Sequence, residues 1–188
     1  MGELLKDKVA IITGGAGGIG SRIARAYAGE GARVVVASRK KENLEVIVDE
    51  IVSNGGEALA VATDVTNPED VEELVQATQE SFGAADIMVN NAGGAMFMKP
   101  PEKLKPEEWD ATIALNLSSV FFCSQAVSHG MIEKKGGKII NISSVAGIRM
   151  SPAFIQYGAA KAGVINLTKS LASCWGPYNI NVNCIAPG

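Results

Sequence analysis

Between positions 141 and 161 the chain reads NISSVAGIRMSPAFIQYGAAK, and four of these residues could do proton chemistry: Ser143, Ser144, Tyr157 and Lys161. Tyr157 and Lys161 are four apart, so on a helix one stands above the other on a single face. A lysine ammonium held beside a phenol favours the phenolate and lets a tyrosine move protons near neutral pH. An upstream serine hydroxyl could hydrogen-bond the oxygen that gains or loses the proton. Together these groups could interconvert a carbonyl and an alcohol, provided something else carries the hydride. The same spacing also fits an ordinary amphipathic helix with an exposed lysine, so its meaning depends on the rest of the chain.

A glycine-rich stretch, TGGAGGIG at 13–20, could supply the hydride carrier's seat. It follows a β-branched run and opens a helical pattern, the context in which such a loop binds a pyrophosphate on free N–H groups at a helix N-terminus. Its spacing is Gly14-x-x-x-Gly18-x-Gly20, with Ile19 between the last two glycines, and it differs from G-x-G-x-x-G. After the second apolar run come Ser38, Arg39 and Lys40, with no acid before Glu42. An acid there would bind a ribose 2′-hydroxyl, whereas Arg39 can grip a 2′-phosphate, so the pattern favours NADP(H) over NAD(H). A solvated basic turn is the alternative. Asp64 and Val65 follow the third run, where the carboxylate could accept from an adenine amino group or serve as a turn residue. Asn91, Ala92 and Gly93 end the fourth, small enough for backbone contact with a cofactor. Asn116 interrupts an apolar helical stretch, which suits a hydrogen-bonding task or an exposed position. Met96, Phe97 and Met98 could line an apolar substrate pocket or pack on the core.

Six short apolar runs read as strands, at 9–12, 34–36, 59–62, 87–89, 138–142 and 180–185, and helical patterns separate them. The first helix is expected to bury Ile19, Ile23, Ala26 and Tyr27. A helix over 106–134 carries Trp109, Ile113, Leu117, Val120 and Phe121 as its apolar stripe. The tyrosine–lysine helix runs to about residue 175. Strands alternating with helices imply an α/β fold, a doubly wound parallel sheet with helices on both faces. Ligands in such folds sit at the C-terminal strand ends, near the switch in strand order.

The totals agree. The 188 residues are 47% apolar and 20% charged with a net charge of −3, a globular composition with no electrostatic call for nucleic acid. No apolar run approaches the ~18 residues of a membrane span, and the charged start MGELLKDK has no signal-peptide core. Cys123, Cys174 and Cys184 lie far apart beside a single histidine, which reads as reduced apolar filler in a cytoplasmic protein, without metal-ligand spacing.

Taken in order, TGGAGGIG, Asp64-Val65, NNAG at 90–93, Asn116, ISSVAG, YGAAK and the final PG resemble the short-chain dehydrogenase/reductase family, in particular its 3-oxoacyl-carrier-protein reductase type, over about 8–188. The resemblance implies a Rossmann-type, single dinucleotide-binding and catalytic domain over 1–188. It implies Tyr157 as general acid/base, Lys161 beside it and on the nicotinamide ribose, and Asn116 anchoring a water that relays protons through Lys161. The family's serine stands thirteen residues before the tyrosine, which selects Ser144 to steady the substrate oxygen. Gly14, Gly18, Ile19 and Gly20 would cradle the pyrophosphate. Ser38, Arg39, Lys40, Asp64, Val65, Asn91, Ala92 and Gly93 would meet the rest of the cofactor, and Pro187 and Gly188 would pass the nicotinamide. No metal is implied. Relatives form homodimers or homotetramers through two long helices, here 106–134 and 154–175.

Two departures stand out. Gly17 occupies the place where many NADP-dependent relatives carry a basic residue. Family members also continue past the PG through a substrate lid and a last strand, so the expectation is a catalytically complete but open site. The other readings are an NAD-dependent alcohol dehydrogenase of the same family and a nucleotide-binding form without turnover.

Overall fold

The structure, a computed structural model, describes residues 3–188, so Met1 and Gly2 of the charged N-terminus lie outside the described residues. Six strands form one sheet: β1 (Val9–Thr13), β2 (Arg33–Ser38), β3 (Glu57–Ala62), β4 (Ile87–Asn90), β5 (Gly137–Ile142) and β6 (Ile180–Ile185). Their order is β3-β2-β1-β4-β5-β6, and every neighbouring pair is parallel. The chain therefore builds outward from β1 to β3, then returns to β1 and builds the other way from β4. The reversal between β1 and β4 leaves a crevice at their C-terminal ends.

Alternation along the strands divides the core in two. Ile11 and Val35 face one side with Val71, Leu74, Cys123, Val127 and Met131. Ala10, Ile12, Val34 and Val36 face the other, under Ala24, Leu44, Ile47 and Ile51. Helices α1 (Gly18–Gly29) and α2 (Lys41–Ser53) cover this second face. Helices α3 (Pro68–Phe82), α5 (Ser119–Glu133) and α6 (Ile155–Trp175) cover the first. Full burial of each large aliphatic side chain contributes about 1.5–3 kcal/mol, so strands buried on both faces read as continuous apolar runs. Helix α3 starts where the sequence marks it: Asn67 accepts from the Glu69 N–H at 3.0 Å and Pro68 occupies the first turn.

The expected helix over 106–134 is present but not uniform. It comprises α4 (Pro106–Ile113), a π turn (Ala114–Ser118) and α5. The extra residue of the π turn swings the later part of the helix about its axis. Of the expected stripe only Val120 is buried, while Phe121 is 36% exposed and Trp109 also faces out. The buried face instead carries Asn116, Ser119, Cys123, Ser124 and Val127. Its hydroxyls bond the helix's own carbonyls, Ser119 to Leu115 O and Ser124 to Val120 O, both at 2.6 Å. The whole span Pro106–Glu133 is long and apolar enough by composition to cross a membrane, although it holds no uninterrupted apolar run of that length. Here Val120, Cys123, Val127 and Met131 are buried, as in a core helix.

Helix α1 also departs from expectation. Ile19 is 47% exposed, and the buried residues are Gly20, Ser21, Ala24 and Ala28. Small residues let this helix approach the strand ends closely, which leaves Ile19 turned toward the crevice. All three cysteines are unpaired, but only Cys123 is buried filler, its thiol pushed up to about 12 by burial; Cys174 is exposed. His129 is exposed on α5.

Candidate active site

A cleft of about 370 Å³ opens at the C-terminal ends of β1, β4, β5 and β6, lined among others by Gly14, Gly18, Asn91, Ser144, Tyr157 and Lys161. Its floor begins with the glycine-rich loop. Gly14 has φ 65°, a left-handed conformation that glycine adopts without strain, and a Cβ on Gly20 would lie 2.3 Å from Gly14 O. Around Gly17 and Gly18 the space is open, and Gly17 offers α1 no side-chain cap. The first N–H groups of α1 are thus free beside the cleft, where the helix dipole favours an anion. That arrangement fits a dinucleotide's pyrophosphate.

The loop is held from β4. Asn91 Nδ2 donates to Thr13 O at 3.0 Å and to Gly14 O at 3.2 Å, while Thr13 Oγ1 accepts from the N–H groups of Asn91 and Ala92 at 3.1 Å. Asn91 therefore braces the loop, in addition to lining the cleft. Below, a buried chain of amides and hydroxyls joins four elements. Asn90 Nδ2 donates to Ser124 Oγ and Asn141 Oδ1, and Asn141 Nδ2 donates to Thr168 Oγ1, all within 2.9 Å. Asn90 and Asn141 are register partners on β4 and β5. Hydrogen-bonded networks of this kind favour one arrangement of their elements, and within this one Asn90 Oδ1 has no partner among the described residues.

The opposite wall carries the residues that the sequence marks as candidates for proton chemistry. Ser143 is buried and donates to Lys161 O at 2.8 Å, so it is a brace. Ser144 is half-buried in the cleft wall and accepts from the Ala146 N–H at 3.2 Å, leaving its hydroxyl proton free to donate. Lys161 is 3% exposed, and its Nζ donates to Ile142 O at 2.8 Å and lies 5.6 Å from the centre of the Tyr157 ring. Burial lowers the lysine pKa to about 8, partly opposed by Cys184. Asn116 is fully buried, which settles one of the sequence's open alternatives. Its Oδ1 accepts from Gly94 N at 2.9 Å, and its Nδ2 donates to Gly94 O and Thr112 O. A Cβ on Gly93 would meet Asn116 Oδ1 at 2.7 Å and Lys161 Nζ at 3.2 Å, so these three residues converge.

The remaining candidates are spread around the rim. Arg39 and Lys40 are exposed beyond β2, and Ser38 Oγ is bonded to Lys40 O at 3.4 Å. Asp64 Oδ1 accepts from both Thr66 N and Thr66 Oγ1, a turn arrangement. The Thr66 bonds, with the charge of Arg39, hold its carboxyl below the usual carboxylate range. Val65 is buried in the core, so only its backbone can meet a ligand. Pro187 O accepts from Val145 N at 2.9 Å, which brings the segment after β6 to Ser144, and Gly188 lines the cleft beside it. The bracing roles of Thr13, Asn90, Asn141 and Gln156 escaped the sequence reading, although the first three lie in motifs it singled out. Each is polar within an apolar run or next to a candidate, a signal visible only with hindsight of its partner.

A family model described as short chain dehydrogenase matches residues 8–188. The chain belongs to the short-chain dehydrogenase/reductase family. The 3-oxoacyl-[acyl-carrier-protein] reductase of Synechocystis sp. is 42% identical over 188 residues, a match taking in 98% of this chain and 74% of that protein. A short-chain type dehydrogenase/reductase from Mycobacterium marinum superposes with a TM-score of 0.94 at 37% identity, covering 98% of this chain and 75% of the other. An NAD+-bound xylitol dehydrogenase superposes with 0.95 at 33% identity, covering 98% and 71%. As a short-chain dehydrogenase/reductase the chain is an oxidoreductase acting on alcohol or keto groups with a nicotinamide cofactor. Its Rossmann-type sheet and helices match those of its solved neighbours.

Proposed function

We propose that the chain is an NADP(H)-dependent oxidoreductase that interconverts a carbonyl and a secondary alcohol, with Tyr157 as general acid/base. The observation that carries the reading is the single wall on which Ser144, Tyr157 and the buried Lys161 meet, across the cleft from the uncapped N-terminus of α1. A nicotinamide cofactor bound there supplies or takes the hydride. Ser144 keeps its proton and hydrogen-bonds the substrate oxygen through its free hydroxyl, which polarises the carbonyl. Tyr157 delivers a proton to that oxygen in reduction and removes it in oxidation. The Lys161 ammonium stabilises the negative charge that develops on the phenol oxygen, more strongly because it is buried. Asn116 holds the segment after β4 against Lys161 and anchors the water through which the lysine exchanges protons. Gly14, Gly18, Ile19 and Gly20 hold the pyrophosphate, and Asn91, Ala92, Gly93, Pro187 and Gly188 border the dinucleotide. Reduction of a hydrophobic ketone with NADPH, followed by loss of nicotinamide absorbance, tests the activity; absence of turnover across a ketone and alcohol panel would reject it.

The phosphate preference rests on Arg39, an exposed guanidinium with no ion pair among the described residues. The runner-up, NAD(H), is favoured by the Asp64 carboxylate near Arg39 and by the NAD+-bound relative. Arg39→Ala discriminates. It is expected to weaken NADPH binding about tenfold or more and NADH binding less than about twofold, because a charged phosphate contact is lost only in the first. Equal effects would favour NAD(H).

The same reading includes pairing of copies through α5 and α6. Leu117, Phe121, Phe122, Gly163 and Leu167 form a groove on the outer side of these helices.

A further inference from the structure

The chain leaves the cleft after Gly93 and runs through residues 94–105 before α4 begins. Three side chains hold this loop. Asn116 bonds both the N–H and the carbonyl of Gly94. Glu108, in the first turn of α4, pairs with Lys99 at 2.5 Å. Between them Gln156 Nε2 donates to Met96 O at 2.8 Å and to Phe97 O at 2.9 Å.

Gln156 is an unusual residue to find there. It is fully buried, and its Oε1 has no partner. An unpartnered buried acceptor destabilises a fold, and an apolar side chain of the same length would avoid it. Turning the amide over would aim Oε1 at two carbonyl oxygens, so its orientation is fixed by the two bonds it makes. Those bonds fall on either side of a strained point. Phe97 has φ 54°, a left-handed conformation uncommon for a bulky aromatic residue, which persists only where the surroundings impose it. Gln156 immediately precedes Tyr157 on α6. One helix end therefore carries both the phenol and the anchor of the Met96–Phe97–Met98 segment. Phe97 and Met98, anchored to this helix end through Gln156, remain 37% and 71% exposed as apolar surface.

We propose that Gln156 is a substrate-positioning residue, whose carboxamide fixes the Met96–Phe97–Met98 segment relative to Tyr157 so that this segment forms the wall for the hydrocarbon part of an apolar ketone or secondary alcohol. The assignment rests on Tyr157 being the proton donor, as argued above. It makes Gln156 act on where the substrate lies, not on the proton itself.

Gln156→Met keeps the length and removes both donors together with the orphaned acceptor. Gln156→Glu keeps the shape and replaces the donors by oxygens, so if one variant fails to fold the other decides. Steady-state kinetics with a short and a long methyl ketone supply the readout. KM for the long ketone is expected to rise about tenfold with kcat within about twofold, while KM for the short ketone and the cofactor Kd stay unchanged, the signature of lost substrate binding remote from the reacting carbon. A loss shared equally by both ketones, a fall in kcat alone, or no change would overturn the proposal. If the parent protein reduces neither ketone, the reading of Tyr157 fails, and amide hydrogen exchange decides the clamp separately. Exchange at 96–98 at least about tenfold faster in Gln156→Met supports it, and unchanged exchange overturns it.

Discussion

Lys161 is buried beneath the Tyr157 ring with one carbonyl, Ile142 O, as hydrogen-bond acceptor, and burial brings its pKa from 10.5 to about 8. In the proposed mechanism the ammonium, charged below that value, supports proton transfer by Tyr157; above it the charge is lost. In the carbonyl-reducing direction kcat/KM, which reports the free enzyme, is expected to fall as pH rises through about 8. A profile that rises through that region would contradict the role given to Lys161. Folding stability moves the opposite way. Between about 8 and 10.5 the unfolded chain still holds the proton that the folded chain has released, so stability rises with pH across this window. Denaturant melts on either side of it measure that slope. At this scale the sequence was partly readable. Tyr157 and Lys161 stand out by spacing, but spacing alone leaves Ser143 and Ser144 equivalent. The family resemblance selects Ser144, and the fold also tells the two apart, since Ser143 is buried and donates to Lys161 O while Ser144 is half-buried in the cleft wall. Gln156 was illegible because its partners lie 59 and 60 positions away.

Among the elements, the glycine-rich loop makes the sharpest contrast. Gly20 has no room for a Cβ, which would lie 2.3 Å from Gly14 O, whereas Gly17 has nothing within 4 Å and an extended backbone at φ −170°. Gly20→Ala is therefore expected to lose about 1–3 kcal/mol of stability through forced displacement of the loop, and to weaken cofactor binding. Gly17→Ala should leave stability within about 0.5 kcal/mol, as for other unhindered exposed positions. Thermal melts of the two variants check the pair, and equal destabilisation would contradict the packing described here. The central strands β1, β2 and β4 were legible almost to their ends, because burial on both faces leaves uninterrupted apolar runs. The π turn was not. One extra residue in a helix apolar on much of its circumference leaves no mark on the periodicity, and its consequence appears only as Phe121 facing out and Asn116 facing in. The helix entry at Ile19 was misread for a related reason: close packing on the sheet selected Gly20 and Ala24 over the larger residue.

For the whole molecule, the strand order places the ends of β1, β4, β5 and β6 around one cleft, and a groove lined by Leu117, Phe121 and Leu167 runs over α5 and α6. Phe121 is apolar, exposed and absent from the cleft lining, so Phe121→Asp is expected to shift the protein toward monomer in sedimentation with its fold retained. An unchanged sedimentation profile would contradict pairing through these helices. In the proposed mechanism Tyr157 moves the proton in a cleft whose cofactor seat is built independently by the glycine-rich loop. The most direct test is Tyr157→Phe, measured in parallel for ketone reduction and for NADPH binding by nicotinamide fluorescence. Loss of turnover by about 10²–10⁴-fold with NADPH affinity preserved is the predicted result. Turnover close to that of the parent protein would contradict the account.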